Sequence, residues 1–408
     1  MSKIFTPKVL VGALITYLLS AGIAYAVVPT PAGTLVSPGA TGQQQITGTT
    51  GVSTGFAQYA NEPKTQVCPI NGIPYSKSEE ALWQTRRPIL AMIENHVDAR
   101  PQSGVSLADV VYEAVAEGGI TRFMGVFYCG AQQDVARVAP VRSSRIYFVN
   151  IAAEYNTPIY LHVGGANCGR DQATGQCVSN PKAFAIEELA KLGWRKPKGN
   201  DFDTTGDIGY PVLFRDYNRL GTDKPAITEH TMVGSLPEAW KEAAKRGYTS
   251  KMPDDTTWLS GFTPWKTTPA GMTTGASAKD ITFDFWPGYK DFTVEWKWDP
   301  TTKTYLRNDG GTPQIDFDTK QQLYASDVVV QLVKETNLND YGKHMFYDVI
   351  SSGTGYVFQN GVVQEINWKK ASQKARTIFT DKSGKEITFT AGKIWVELVP
   401  STSKVTYL

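Results

Sequence analysis

The apolar residues of this 408-residue chain change their period once, and that change constrains the fold more than any other feature. Upstream, RPILAMIE (87–94), ADVVYEAVA (108–116), TRFMGVFYC (121–129) and PIYLHVGG (158–165) read as short buried strands interleaved with helical segments. Such interleaving predicts layered α/β architecture. SNPKAFAIEELAKLGW (179–194) has Asn180 as a helix cap, Pro181 in the first turn and Gly193 as a stop. SLPEAWKEAAKRG (235–247) repeats the plan, with Ser235 and Glu238 spaced as a capping box and Gly247 at the end. The Pro/Thr/Gly-rich stretch GFTPWKTTPAGMTTGASAKD (261–280) marks the boundary. Beyond it DITFDFW, FTVEWKWD, KTYLRND, ASDVVVQLV and GYVFQNGVVQEINW alternate at period two, with hairpin turns at Asn360-Gly361 and Lys382-Ser383-Gly384. The expected fold is an α/β N-terminal domain followed by a mainly antiparallel β (α+β) C-terminal domain. Trp296 and Trp298 share a strand face with Phe292 and Val294, a row expected to pack into the core; exposed, it would stack on sugar rings.

The start of the chain carries an address. Lys3 and Lys8 precede an uncharged run from Val9 to Val28, and Ala24-Tyr25-Ala26 fits the small-x-small pattern of signal-peptidase cleavage. The run is also just long enough to span a bilayer. Residues 1–28 are therefore a signal peptide or a membrane anchor, and either exports the remainder. Residues 29–62 form a Gly/Thr/Pro/Ser/Gln-rich spacer, which cannot bury a core and as a coil reaches roughly 30 Å. The α/β domain is placed at 63–250, an interdomain linker at 251–280 and the β-rich domain at 281–408. Four cysteines in an exported chain suggest disulfides. Cys168 and Cys177 close a short Gly-rich loop, which leaves Cys68 with Cys129. With no C-x-x-C, and with His96, His162, His230 and His344 far apart in sequence, no metal site is expected.

The chain carries 41 basic and 39 acidic residues, so its net charge of +2 gives no reason to expect nucleic acid as a partner, and any attraction for anions must be local. One local concentration is APVRSSRIYFVNIAAEY (139–155), where Arg142 and Arg145 bracket Ser143-Ser144 at the expected start of a helix. If a serine caps that helix, guanidinium groups gather at an already positive end, which favours a phosphate, pyrophosphate or carboxylate there. Arg122 and Arg137 are placed to complete such a cradle. The alternative is that Glu94, Glu113 and Glu117 answer the arginines as internal ion pairs. A second cluster, IENHVDARPQSG (93–104), sets Glu94, His96, Asp98 and Arg100 just after a strand, where α/β sheets bind ligands. Glu94 and Glu117 suit an acid/base pair or oxygen ligands for Mg²⁺; otherwise no cofactor is expected. His162 is a third candidate catalyst, by its place before Gly164-Gly165, though a histidine in an apolar strand more often satisfies the core. Ser179-Asn180-Pro181-Lys182 matches S-x-x-K without its companion motif, and DFDTTGDIGYPV (201–212) ends in Val212 where a calcium loop needs Glu.

The long stretches RPILAMIENHVDARPQSGVSLADVVYEAVAEGGITRFMGVFYCG and VAPVRSSRIYFVNIAAEYNTPIYLHVGG, with YLRNDGG, ASDVVVQLV, GTGYVFQNGVVQEINWKK and GKIWVELVP downstream, resemble the YerB-type lipoprotein family of bacteria, a domain of unknown function. The resemblance spans most of residues 63–400 and covers both family domains. It implies a bacterial, extracytoplasmic, membrane-tethered protein and no particular activity. Two departures stand out. No Cys precedes Cys68, so the family's lipid attachment is excluded, and the family's Pro-His-Asn reads TEHTMVGS here, keeping His230 with changed neighbours. A strand followed by a basic cluster also loosely resembles, over one short segment, the LytR-CpsA-Psr phosphotransferases. The expected function is binding of an anionic cell-envelope polymer or lipid-linked precursor through Arg122, Arg142, Ser143, Ser144, Arg145 and His96. An envelope enzyme (phosphotransferase or hydrolase) using Glu94, Glu117 and His162, or a scaffold without a small-molecule site, are the alternatives.

Overall fold

A computed structural model describes residues 57–132 and 135–408. The expected signal or anchor segment and most of the spacer lie outside the described residues. Among the described residues no helix is long and apolar enough to cross a membrane.

The N-terminal half is α/β and the C-terminal half is mainly antiparallel β. Among its strands are β1 (Ile89–Glu94), β2 (Val110–Glu117), β3 (Ile120–Phe127), β4 (Ile159–His162), β5 (Asp201–Asp203) and β6 (Met232–Ser235). Its helices are α1 (Lys77–Trp83), α2 (Ile146–Ala152), α3 (Ala185–Lys191) and α4 (Leu236–Lys245). The runs without polar alternation are those buried on both faces: every residue of β1 is buried, and all but the end residues of β2 and β3. The turn signals place the helices with two adjustments. Asn180 caps a 3₁₀ turn, Pro181–Ala183, ahead of α3. Ser235 Oγ accepts from the Glu238 amide, but the Glu238 carboxylate turns to Lys241 at 2.7 Å, so only half of the capping box forms.

The C-terminal half contributes β7 (Ala276–Ser277), β8 (Asp280–Asp284), β9 (Thr293–Asp299), β10 (Thr304–Asp309), β11 (Asp327–Val333), β12 (Ser352–Gln359), β13 (Val362–Lys369), β14 (Ile394–Pro400) and β15 (Val405–Tyr407). β12 and β13 pair from Gln359 opposite Val362, leaving Asn360 and Gly361, both at positive φ, as a two-residue turn.

One eleven-stranded sheet runs through both halves in the order β7-β13-β12-β11-β14-β2-β3-β1-β4-β5, with Ile378–Thr380 added on β13. β14 lies parallel to both β11 and β2, and its register sets Glu397 beside Glu113. A six-stranded sheet (Thr312–Pro313, β10, β9, β8, β15, with Tyr324–Ala325 on β10) packs on it. The period-two pattern delivers Ile281, Phe283, Val294 and Trp296 to the buried face. Trp296 meets Trp395 of β14 edge-on, with centroids 5.1 Å apart, and its Nε1 donates to Glu397 at 3.0 Å. Each large apolar side chain so buried contributes roughly 1.5–3 kcal/mol. Phe292 is also buried, while Trp298 is half-buried against Tyr305.

Both expected disulfides are present. Cys68–Cys129 ties the segment before α1 to the end of β3, and Cys168–Cys177 closes a nine-residue separation on the surface.

Candidate functional site

The candidate site lies where β1 and β2 end and β3 begins. Glu94 and Arg122 face each other across the antiparallel β1–β3 ladder. Residues 139–145 run past this end as an extended strap. The Val141 amide donates to Met232 O (2.9 Å), Arg142 to Met92 O (3.0 Å) and Ser144 to Gly164 O (3.0 Å). This corrects the expected helix cap. α2 begins only at Ile146, and Arg145 stands at its N-cap position without a side-chain cap bond. The strap's own backbone bonds hold the serines extended, and Ser144 Oγ pairs with Tyr160 Oη at 2.9 Å. With seven residues, α2 offers no helix end on which to build an anion site.

The arginines converge as expected, but the protein's own acids answer them. Glu117 accepts from Arg122 Nη2 through one oxygen and from Arg145 Nη2 through the other. Each arginine also donates to the strap, Arg122 to Ser143 O (3.0 Å) and Arg145 to Ser144 O (2.8 Å). Glu94 takes Arg142 Nε at 3.2 Å on one oxygen and His230 Nδ1 at 2.8 Å on the other. The Arg142 contact has ion-pair distance without hydrogen-bond alignment, since its Nε is buried and has no hydrogen-bond partner. Arg142 Nη1 donates to Glu229 O at 3.3 Å. Arg137 joins Asp318 at 2.8 Å instead of the cluster.

These contacts oppose the acid/base role expected of Glu117. Burial alone would raise the Glu117 carboxyl, but the guanidinium groups of Arg122 and Arg145 overcome it and hold it at about 2, too acidic for acid/base work near neutrality. Each carboxylate oxygen of the two glutamates already lies against an Arg or His side chain, so an Mg²⁺ held there must displace one of these contacts. Glu113 points elsewhere, to Arg307 at 2.7 Å.

His162 is fully buried. Its Nε2 meets Asp201 and its Nδ1 meets Gly164 O at 2.8 Å, which leaves no ring nitrogen for a substrate. Burial lowers its pKa, the bond and charge of Asp201 together with Asp203 more than reverse this, and the net shift is upward. It is a core histidine in an Asp201–Arg195–Asp203 network.

Sequence distance concealed one grouping. His230, buried at the end of the 3₁₀ turn Thr228–His230, stacks on His96 with centroids 5.3 Å apart and planes 19° apart. His96 caps the 3₁₀ turn Val97–Ala99, its Nδ1 accepting from the Asp98 amide at 3.2 Å. One ligand atom from each of His96, Asp98 and His230 lies within 4.8 Å of the others. Its sequence signals are His96 and Asp98 within IENHVDARPQSG and the histidine kept within TEHTMVGS. Arg100, from the same loop, spans to the smaller sheet and pairs with Asp309 at 2.9 Å.

A cleft of about 930 Å³ is lined by Thr263, Trp368, Lys369, Arg376 and Ile378 among others, and by no residue of the arginine cluster. Its buried cation, Arg376, already pairs with Glu154 at 3.0 Å and stacks on Trp265 at 3.6 Å.

Fold and site together define a class: disulfide-bonded proteins built on one long mixed sheet, with an arginine–glutamate cluster at the end of its central strands. The family model described as "Protein of unknown function (DUF3048) N-terminal domain" matches residues 72–209, and "Protein of unknown function (DUF3048) C-terminal domain" matches residues 281–396. The chain belongs to this family and carries both of its domains. It is 28% identical over 332 residues to a Bacillus subtilis (strain 168) protein named "Putative lipoprotein YerB", covering 81% of this chain and 86% of that one. The crystal structure of the YerB protein from Bacillus subtilis superposes with a TM-score of 0.63 at 24% identity, covering 84% of this chain and all of that one, a likeness of fold.

Proposed function

We propose that the protein is an extracytoplasmic component of the bacterial cell envelope that binds an anionic group, a phosphate or carboxylate of an envelope glycan or lipid-linked precursor, at the Arg142 side of the cluster. Three supports favour the envelope: the N-terminal export signal, the two disulfides, and a relative named as a lipoprotein. We place the chain at the membrane by its N-terminal segment, the uncharged run from Val9 to Val28. The observation that carries ligand binding is a charge imbalance. Arg122, Arg142 and Arg145 face only Glu94 and Glu117, and Arg142, 29% exposed, has no hydrogen bond on Nη2 among the described residues. An arriving oxyanion would take that nitrogen as a charge-assisted bond.

The test is binding of soluble short-chain polyprenyl phosphates and wall-glycan fragments to the full-length protein, wild type against Arg142→Ala. We expect the variant to bind at least fivefold more weakly, consistent with a loss of about 1–1.5 kcal/mol. Equal binding by both, or none by the wild type, overturns the reading. The intact mass of the membrane-associated protein reports whether cleavage after Ala26 has occurred.

A further inference from the structure

We infer that His96, Asp98 and His230 form a binding site for a divalent transition-metal ion of the zinc type, with Glu94 orienting His230 from behind. The inference rests on convergence of donors that sequence separates widely. Two imidazoles and one carboxylate offer ligand atoms within 4.8 Å of one another. Tetrahedral zinc sites draw such atoms closer still, and the partly exposed His96 and exposed Asp98 have room to close on an ion while buried His230 stays fixed.

The surroundings fit a metal ligand. His230 Nδ1 meets Glu94 Oε2 at 2.8 Å, so the ring donates there and leaves the Nε2 lone pair available. A histidine ligand backed by a carboxylate has its tautomer and ring direction fixed in this way. The Asp98 amide donates to His96 Nδ1 and occupies that lone pair, so His96 must release this cap bond to ligate through either nitrogen.

The donor set selects the ion. Imidazole nitrogen favours zinc, cobalt and nickel over magnesium and calcium, which want oxygen. Three protein ligands leave a coordination position open. Asp98, with 67% of its side chain exposed, opens the cluster to solvent, and Arg142 lies on the far oxygen of Glu94. Two guanidinium groups oppose a cation here, Arg142 on the far oxygen of Glu94 and buried Arg219, which donates to His230 O and Ala99 O, and the carboxylates of Asp98 and Glu94 offset them. The proposal does not depend on anion binding, since the ion is held by different side chains.

Tag-free full-length protein is titrated with Co²⁺ in a buffer free of phosphate and chelating acids, following visible absorption and calorimetric heat. We expect one equivalent bound with visible ligand-field bands, displaced by Zn²⁺. His96→Ala and Asp98→Ala, at exposed positions that spare the core, are each expected to weaken binding more than tenfold. Glu94→Ala is expected to weaken it about tenfold, as loss of an orienting partner does. His344→Ala, outside the site, should bind like the wild type. No uptake by the wild type, or unchanged uptake by the His96→Ala/Asp98→Ala double variant, overturns the proposal. Either result leaves the Arg142 test standing, and failure of that test leaves this one standing.

Discussion

Arg307→Met probes the cluster that joins the two sheets. Arg307 is fully buried on β10, with Nη2 2.7 Å from Glu113, Nη1 3.0 Å from Glu397 and Nε donating to Gln314 at 2.6 Å. Its guanidinium also lies 4.9 Å from the Trp395 ring and 5.3 Å from Trp296. Methionine fills much of the volume but strands two adjacent carboxylates. Removing one partner of a buried ion pair costs about 3–5 kcal/mol. For a folded body of about 350 residues, at about 2.1 cal/mol/K per residue, the unfolding entropy is about 0.7 kcal/mol/K, so about 4 kcal/mol lowers Tm by about 5–6 °C. Burial raises the Glu113 carboxyl well above its ordinary range, Arg307 pulls it back, and Glu397 and Asp309 push it further up. A carboxyl raised in the folded state binds more protons there than in the unfolded chain. Its stabilising contribution is therefore complete below the unfolded value and is lost as pH rises through the folded one. Without Arg307 the raised range widens, so the penalty is larger at pH 8 than at pH 5. Calorimetric melts of wild type and Arg307→Met at both pH values measure this. A shift under 2 °C, or an equal shift at both, refutes the reasoning.

Two further outcomes follow from the same physics. Glu117→Gln leaves Arg122 and Arg145 facing each other, and the variant should melt earlier at pH 7. Because the Glu117 carboxyl is depressed to about 2, its stabilising contribution is present above the unfolded value and lost as pH falls toward 2. The gap between the two proteins should therefore narrow in acid, and a constant gap in melts from pH 7 to pH 3 would sink the assignment. For the disulfides, the closed loops differ, with separations of 61 residues for Cys68–Cys129 and 9 for Cys168–Cys177. Loop entropy assigns them about 4 and about 2.5 kcal/mol. The Cys68→Ser/Cys129→Ser variant should lose more in Tm than Cys168→Ser/Cys177→Ser, and the reverse order would contradict the estimate.

The elements that periodicity and turn chemistry encode locally were legible in the chain: the runs that became β1 to β4, the Asn360-Gly361 hairpin, the Ser235 cap, the buried Trp296. So was the meeting of Arg122, Arg142 and Arg145 with Glu94 and Glu117, as the ion-pair alternative to a ligand cradle. What stayed hidden depends on pairings distant in sequence. The insertion of β14 between β11 and β2 leaves no local trace, because a fully buried strand reads alike in any sheet. The strap misled for a related reason. Ser-Ser before an apolar run resembles a cap, but the acceptors Met92 O and Gly164 O, tens of residues away, hold it extended. His96 and His230 meet because one 3₁₀ turn begins just after His96 where another ends at His230.

That meeting point is tied to the junction between the two family segments by one continuous polar layer. Glu397 on β14 and Glu113 on β2 stand side by side in parallel register, both carboxyls raised by burial, and Arg307, reaching in from the smaller sheet, bonds to each. Asn95 continues the layer: its Nδ2 donates to Asp309 at 2.8 Å, and its Oδ1 accepts from Arg100, Gln102 and Gln314. Asn95 is also the residue between Glu94, which orients His230, and His96, which stacks on it. The C-terminal half therefore holds the N-terminal loop that carries the candidate ligands, through side chains that are buried and directional. A satisfied buried network of this kind resists displacement, because moving any member leaves another unpaired at a cost of about 1–3 kcal/mol. The site residues come from the N-terminal half, but their geometry belongs to both, which gives a physical reason for the two matched segments to share one sheet.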